Sequence, residues 1–265
     1  MGRPAEAAAN VLAISAHDPT GAAGVQADIE AINGCGCRCA SLLTATTAQN
    51  TATFEQVYPQ PVEQLRTEAA VLMRDMTFDA CKIGMLGAAA TALFVADLLE
   101  NAGTLPVVLD TIITTGTGVR IADDETLAVM KTRLLPLATV ATPNCREARQ
   151  LSGTKDIERA ADILLRLGAR NVLITGGDEA TPTVVNVLFR DSAAPLRYEF
   201  ERLPHRYHGS GCTLASAIAA FLARGVAVDR AVSRALVYTW NALQQATRLG
   251  AGQYHPLRAS ARHAE

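Results

Sequence analysis

The stretch "HRYHGSGCTLASAIAAFLARG", residues 205–225, sets a cysteine behind a glycine pair where an apolar helical pattern begins. Leu214, Ala217, Ile218, Phe221 and Leu222 recur at the spacing of one helix face, and Gly225 follows as a stop. Gly209, Ser210, Gly211 and Cys212 therefore belong to a helix N-terminus. Amides without intrahelical partners and the positive end of the helix dipole favour a phosphate or a developing oxyanion there, and glycine lets the backbone approach it. The same field would lower the pKa of Cys212 and enrich its thiolate. A plain turn followed by a small buried thiol fits the same residues.

More chemistry-bearing residues follow predicted strands. Asp18, Gly21 and Gly24 come after "NVLAIS"; Asp110, Gly116 and Gly118 close or follow "PVVLD"; Asn144 and Glu147 follow "ATVAT"; Gly176 and Gly177 follow "NVLIT". Each glycine alone reads as a turn, but together with Gly209 and Gly211 they suggest a nucleotide or phosphate site. Asn144 and Glu147 are three apart and share a face of a first helical turn, which suits a ligand pair and an N-cap equally. No GxxxxGK[ST] occurs, and "GAAG" after the first strand is not GxGxxG.

These residues need a scaffold. Strand patterns at "NVLAIS", "ASLLTATTAQ", "ACKIGML", "PVVLD", "ATVATPN", "NVLIT" and "TVVNVLF" alternate with helical patterns through Asp28 and Ile32, "VEQLRTEAAVLMRD", Thr91 to Glu100, "DETLAVMKTRLL", Cys145 to Leu151 and Ile157 to Leu167. "PLRYEFERLP" reads as an edge or hairpin strand, and two long helices finish the chain. Such alternation predicts an α/β fold, a mostly parallel central sheet with helices on both faces and ligands beyond the C-terminal ends of its strands. No linker or repeat breaks it, so residues 1–265 are expected to form a single domain, with 1–9 and about 251–265 as flexible tails.

The 265 residues, 49% hydrophobic and 19% charged, can bury a substantial core. A net charge of −2 without a long basic run gives no support to a nucleic-acid or anionic-membrane partner, so a small molecule is expected. No secretory signal, myristoylation signal or membrane span is legible, and the chain reads as cytoplasmic. Six cysteines in that setting imply reduced thiols. Cys35, Cys37 and Cys39 of "CGCRC" lack a fourth zinc ligand nearby and default to packing.

"AHDPTGAAGVQADIEA", "TATTAQNT", "CKIGML", "VVLDT", "ATPNCREA" and "HGSGCTLASAIAA" stand in the order found in the hydroxymethylpyrimidine/phosphomethylpyrimidine kinases of thiamine biosynthesis, which this chain resembles over about residues 11–240. The resemblance implies the ribokinase-like fold and an ATP- and Mg²⁺-dependent phosphotransferase acting on 4-amino-5-hydroxymethyl-2-methylpyrimidine and on its monophosphate. It puts Cys212 where other ribokinase-like enzymes carry a carboxylate base and makes Gly209, Ser210 and Gly211 the anion hole. Asn144 and Glu147 would organise Mg²⁺, partly through water, with Asp110, Thr175 and Gly177 on the nucleotide. Gln49 would read the pyrimidine edge, with Asp28, Ala16 and Met85 completing the pocket. A homodimer is the expected assembly.

Departures accompany the match. Ala16-His17-Asp18-Pro19-Thr20-Gly21-Ala22 stands for a more glycine-rich family loop, and two family lysines fall at Thr175 and Leu236. Lys82 or an arginine from the 197–206 segment could supply the lost charge, and the second phosphorylation depends on one doing so. Two alternatives stay open: a pyridoxal kinase of the same superfamily, and a vitamin-binding protein that lost turnover.

Overall fold

Residues 8–258 are described in the computed structural model. The first strand, β1 (Asn10–His17), shows how the sheet is buried: Leu12 and Ile14 join one hydrophobic cluster and Val11 and Ala13 the other. Successive side chains of a strand point to opposite faces, so a strand apolar at every position must be covered twice. Helix α1 (Gly24–Gly34) returns the chain to β2 (Arg38–Gln49), which turns through Asn50 into β3 (Phe54–Pro59). Asn50 Oδ1 accepts from the amides of Ala52 and Thr53, each at 2.8 Å, which forms the turn.

Next come α2 (Val62–Asp75), β4 (Ala80–Ile83), α3 (Ala89–Glu100) and β5 (Val107–Leu109). The helix expected over "DETLAVMKTRLL" is α helical only as α4 (Asp124–Val129) and continues as a π turn, Met130–Leu134, and a 3₁₀ turn, Leu135–Leu137. Pro136 has no N–H to donate there, which ends regular α geometry. Then follow β6 (Val140–Ala141), α5 (Cys145–Ser152), α6 (Ile157–Arg166), β7 (Asn171–Ile174), β8 (Thr183–Arg190), β9 (Ala193–Glu201), α7 (Ser210–Ala223) and α8 (Val228–Gln244).

The strands form one sheet in the order β3-β2-β1-β4-β5-β6-β7-β8-β9. The run from β2 through β1, β4, β5 and β6 to β7 is parallel, whereas β3, β8 and β9 pair antiparallel. Helices α2 to α6 pack on one face; α1, α7 and α8 pack on the other. Cys35 ends α1 and is buried with Cys37 beneath α7, so "CGCRC" packs the core as expected.

Two expectations change. The pattern around Leu214 suggests one apolar face, yet α7 is buried from Cys212 through Leu222, because the sheet, α1 and α8 enclose it. The expected tails lie partly outside the described residues, but residues 251–258 are packed: the Leu257 amide donates to Ala242 O at 3.0 Å, and His255 and Arg258 are buried. Their backbone hydrogen bonds hold the segment down.

Candidate active site

The parallel strands end together at one rim, and a cleft of about 870 Å³ opens beyond them. Twelve of the expected site residues line it: Ala16, Gln49, Met85, Asp110, Asn144, Glu147, Thr175, Gly177, Gly209, Ser210, Gly211 and Cys212. Each comes from a strand end or the start of the following helix, so the topology alone brings them together.

Among the helix N-termini that line this cleft, those of α5 and α7 differ in kind. At α5 the Asn144 side chain accepts from the Glu147 amide at 2.8 Å and Glu147 Oε2 from the Asn144 amide at 3.1 Å, a complete capping box. Asp178 also accepts from the amides of Cys145 and Arg146, at 3.2 and 2.9 Å. That terminus is already neutralised. At α7 the N-cap is Gly209, with no capping side chain and no acidic residue in the first turn. Its first amides line the cleft without a capping side chain among the described residues, beside the Asp110 carboxylate.

Gly209 has φ +77°, and a Cβ there would stand 1.8 Å from the Ala22 carbonyl oxygen. Gly24, at φ +63°, meets Ala16 O in the same way at 2.3 Å. Only glycine allows these approaches. The first brings the 18–24 loop and the α7 terminus into backbone contact, and the second folds that loop back on the end of β1.

Cys212 departs from the expectation of an acidic thiol. Burial pushes it up to about 12, with Asp110 and Asp28 adding to the rise and Lys82 opposing it. Desolvation and two nearby carboxylates outweigh the helix dipole. Asp110 is itself raised to about 6 by burial and Asp28, against the pull of Lys82 and a hydrogen bond from Cys212. Glu147 rises to about 8, through burial and then Asp110, while the Asn144 and Ile113 amides oppose the rise. Asp110 Oδ2 is buried without a hydrogen-bond partner. Two buried carboxylates, the second raised partly by the first, with an oxygen of Asp110 left without a partner among the described residues, suit a hard cation with oxygen ligands.

Asp28 does not reach the cleft. It is fully buried beneath it, where Oδ1 accepts from Lys82 Nζ at 2.7 Å and Ser216 Oγ at 2.8 Å. Lys82 is equally buried, so it does not replace a lost phosphate-facing lysine. Arg202 is also committed, with Nη1 donating to Gly177 O at 3.1 Å and Nη2 to Glu179 O at 2.6 Å. Arg206 and Arg146 line the cleft, and their side chains have no polar partner among the described residues.

On the other side of the cleft, Gln49 Nε2 donates to Thr47 Oγ1 at 2.9 Å, and Thr47 Oγ1 donates to His17 O at 2.9 Å. This fixes the amide and leaves its oxygen and second N–H available. Phe54 pairs with Gln49 across β2 and β3 and lines the cleft; sequence reading missed both the strand and the ring. The alternation in "FEQVYP" is the signal that could have found them.

A family model described as phosphomethylpyrimidine kinase matches residues 18–257. A hydroxymethylpyrimidine/phosphomethylpyrimidine kinase from Streptomyces coelicolor is 39% identical over 91% of this chain and 91% of its own length. A thiamine biosynthesis bifunctional protein from Geobacter sulfurreducens is 37% identical over 92% of this chain, which spans about half, 51%, of that relative. A solved pyridoxal kinase from Staphylococcus aureus, in complex with pyridoxal, is similar with a TM-score of 0.88 at 27% identity, covering 98% of this chain and 96% of that one. Matched along nearly all of its described length, the chain belongs to the phosphomethylpyrimidine kinase family.

Proposed function

We propose that the protein transfers the γ-phosphoryl group of ATP to the hydroxymethyl oxygen of 4-amino-5-hydroxymethyl-2-methylpyrimidine, and then phosphorylates the monophosphate, in thiamine biosynthesis. The uncapped α7 terminus carries this reading: it opens on the cleft that holds Gln49 on one side and Asp110 with Glu147 on the other. Amides aimed at charge developing on the transferred group stabilise the transition state more than the ground state. Asp110 and Glu147 would hold Mg²⁺, which neutralises phosphate charge when bound. Arg206 and Arg146 stand in for the lysines replaced by Thr175 and Leu236.

Cys212 then acts as a protonated thiol. Phosphoryl transfer passes through a loose transition state with little early demand for a base, so a thiol that orients the hydroxyl suffices, and the hydroxyl proton passes late to an oxygen of the transferred phosphoryl group. Its neighbours include the Gly24 amide and Asp110, which hold it beside the start of α1 and the end of β5. A homodimer in the cytoplasm belongs to the same proposal.

The likeness to the pyridoxal-bound kinase supports a second reading, pyridoxal phosphorylation, since both substrates carry a hydroxymethyl group on a six-membered heteroaromatic ring. The higher identity to the S. coelicolor relative favours the pyrimidine. A coupled assay of ATP consumption with pyrimidine, pyrimidine monophosphate and pyridoxal decides it. The pyrimidine should give the highest kcat/KM; turnover of pyridoxal alone would overturn the assignment, and no turnover with any would leave a binding protein.

A further inference from the structure

Phosphoryl transfer needs the acceptor hydroxyl and the anion hole held in line, and a misplacement of about 1 Å costs about a hundredfold in rate. In this protein the two parts come from distant segments: the 18–24 loop and the α7 terminus. The contact of Gly209 with Ala22 O lets them meet but does not by itself hold them.

Arg258 does. Its side chain is 1% exposed. Nε donates to Thr213 Oγ1 at 2.8 Å, and that hydroxyl donates onward to Gly209 O at 2.7 Å. Nη2 donates to Ala22 O, and Nη1 to Gly21 O at 3.5 Å and to Glu30 Oε2 at 2.9 Å. The Arg258 carbonyl accepts from Tyr238 Oη at 2.9 Å, which seats the residue on α8. One guanidinium thus spans both loops through its planar fork of donors.

The segment carrying it reinforces the same joint. The Tyr254 amide donates to Arg206 O at 2.8 Å, and the His208 amide donates to Tyr254 O at 2.9 Å, directly before Gly209. The Gln253 amide donates to Thr51 O at 2.9 Å, two residues past Gln49. Residues 253–258 therefore connect the pyrimidine side, the anion loop and the 18–24 loop. The Glu30 carboxylate and the carbonyls of Gly21 and Ala22 compensate the buried guanidinium there.

We propose that Arg258 is a positioning residue for phosphoryl transfer, fixing the anion loop at Gly209 against the 18–24 loop through Thr213 and the carbonyls of Gly21 and Ala22. This rests on the kinase reading above. Arg258 does not line the cleft, so its loss acts on kcat and spares pyrimidine binding.

The test uses Arg258→Gln, Arg258→Lys, Thr213→Val and the Arg258→Gln/Thr213→Val pair, each checked for a cooperative melt. Arg258→Gln should lower kcat about tenfold or more and leave KM for the pyrimidine within about threefold. Arg258→Lys, which keeps the charge and a shorter-reaching ammonium but loses the planar fork, should recover part of the loss. The double variant should be no slower than the slower single one, because both break one path. Amide hydrogen exchange should rise in peptides covering 18–24 and 205–214 and stay unchanged in β8 and β9. If Arg258→Gln does not fold, Thr213→Val decides with the same kcat loss and exchange pattern. Unchanged kcat in a folded variant, equal effects on kcat and KM, or unaltered exchange at both loops would overturn the proposal. If wild type turns over none of the substrates, the kinase reading fails, and the exchange pattern still decides whether Arg258 joins the loops.

Discussion

Lys82 Nζ lies 2.7 Å from Asp28 Oδ1, with both side chains sealed from solvent beneath the cleft. Burial alone would lower Lys82, but Asp28, Cys212 and Asp110 outweigh it and hold the ammonium above the usual lysine range. The pair is a buried support. Lys82→Met leaves a carboxylate with Ser216 as its one hydrogen-bond partner among the described residues and should cost about 3–5 kcal/mol in urea unfolding. Lys82→Met/Asp28→Leu removes both charges and should recover most of that loss. A Lys82→Met protein of normal stability but poor ATP turnover would instead put Lys82 on the phosphate.

Glu147 combines a structural and a chemical role in one side chain. Its carboxylate closes the capping box of α5 and accepts from the Ile113 amide at 3.3 Å. Glutamine also completes such a box, so Glu147→Gln keeps the cap and removes the charge, at the cost of the bond from the Ile113 amide. The Mg²⁺ concentration for half-maximal rate should rise about tenfold or more, with KM for the pyrimidine nearly unchanged and only a small loss of Tm in metal-free buffer, from the Ile113 bond. Equal effects on both kinetic constants, with a lower Tm, would reduce Glu147 to a cap.

Acid stability should depend on the joint between His208 and Asp18, whose Nε2 and Oδ2 are 2.9 Å apart. Burial would raise Asp18, but His208 and the Thr20 amide and hydroxyl overcome it and hold the carboxyl at about 2, below its ordinary 3.8. A depressed carboxylate contributes stability that is complete above its unfolded pKa and is lost as pH falls toward the folded one. The window here is about pH 4 down to about pH 2. His208→Ala should therefore be less stable than wild type at pH 5, by a margin that shrinks across this window in urea titrations. A margin independent of pH would assign the loss to packing.

How much of this was legible in the sequence follows from which signals are local. Strand-end positions are fixed by topology, so Gln49, Asp110, Asn144 and Gly209 to Cys212 could be placed on one rim from element order alone. Depth is not local. Asp28 faces away from the cleft because Lys82 from β4 and Ser216 from α7 meet it below, and no spacing within α1 reveals that. The Cys212 thiol fails for a related reason: the helix terminus is visible in "GSGC", whereas the burial and the carboxylates that raise its pKa come from other elements. Arg258 stood in an expected tail, and only its partners 45 and 236 residues away show what it holds.

The substrate ring is the remaining choice, and Gln49 decides it. Thr47 holds its amide, so the free oxygen and second N–H form a fixed acceptor and donor matching a ring nitrogen beside an exocyclic amine. Pyridoxal has no amine next to its ring nitrogen and would leave part of that edge unpaired, a penalty of roughly 1–3 kcal/mol. Gln49→Ala should accordingly lower kcat/KM for the aminopyrimidine by more than about tenfold and change pyridoxal use far less. Phe54, opposite Gln49 in β3, supplies apolar wall to either ring, so Phe54→Ala should weaken both substrates by similar factors. The two variants together separate edge recognition from wall contact. If Gln49→Ala lowers both substrates equally, as Phe54→Ala is expected to do, Gln49 supports the end of β2 rather than reading the ring, and the pyridoxal assignment gains equal standing.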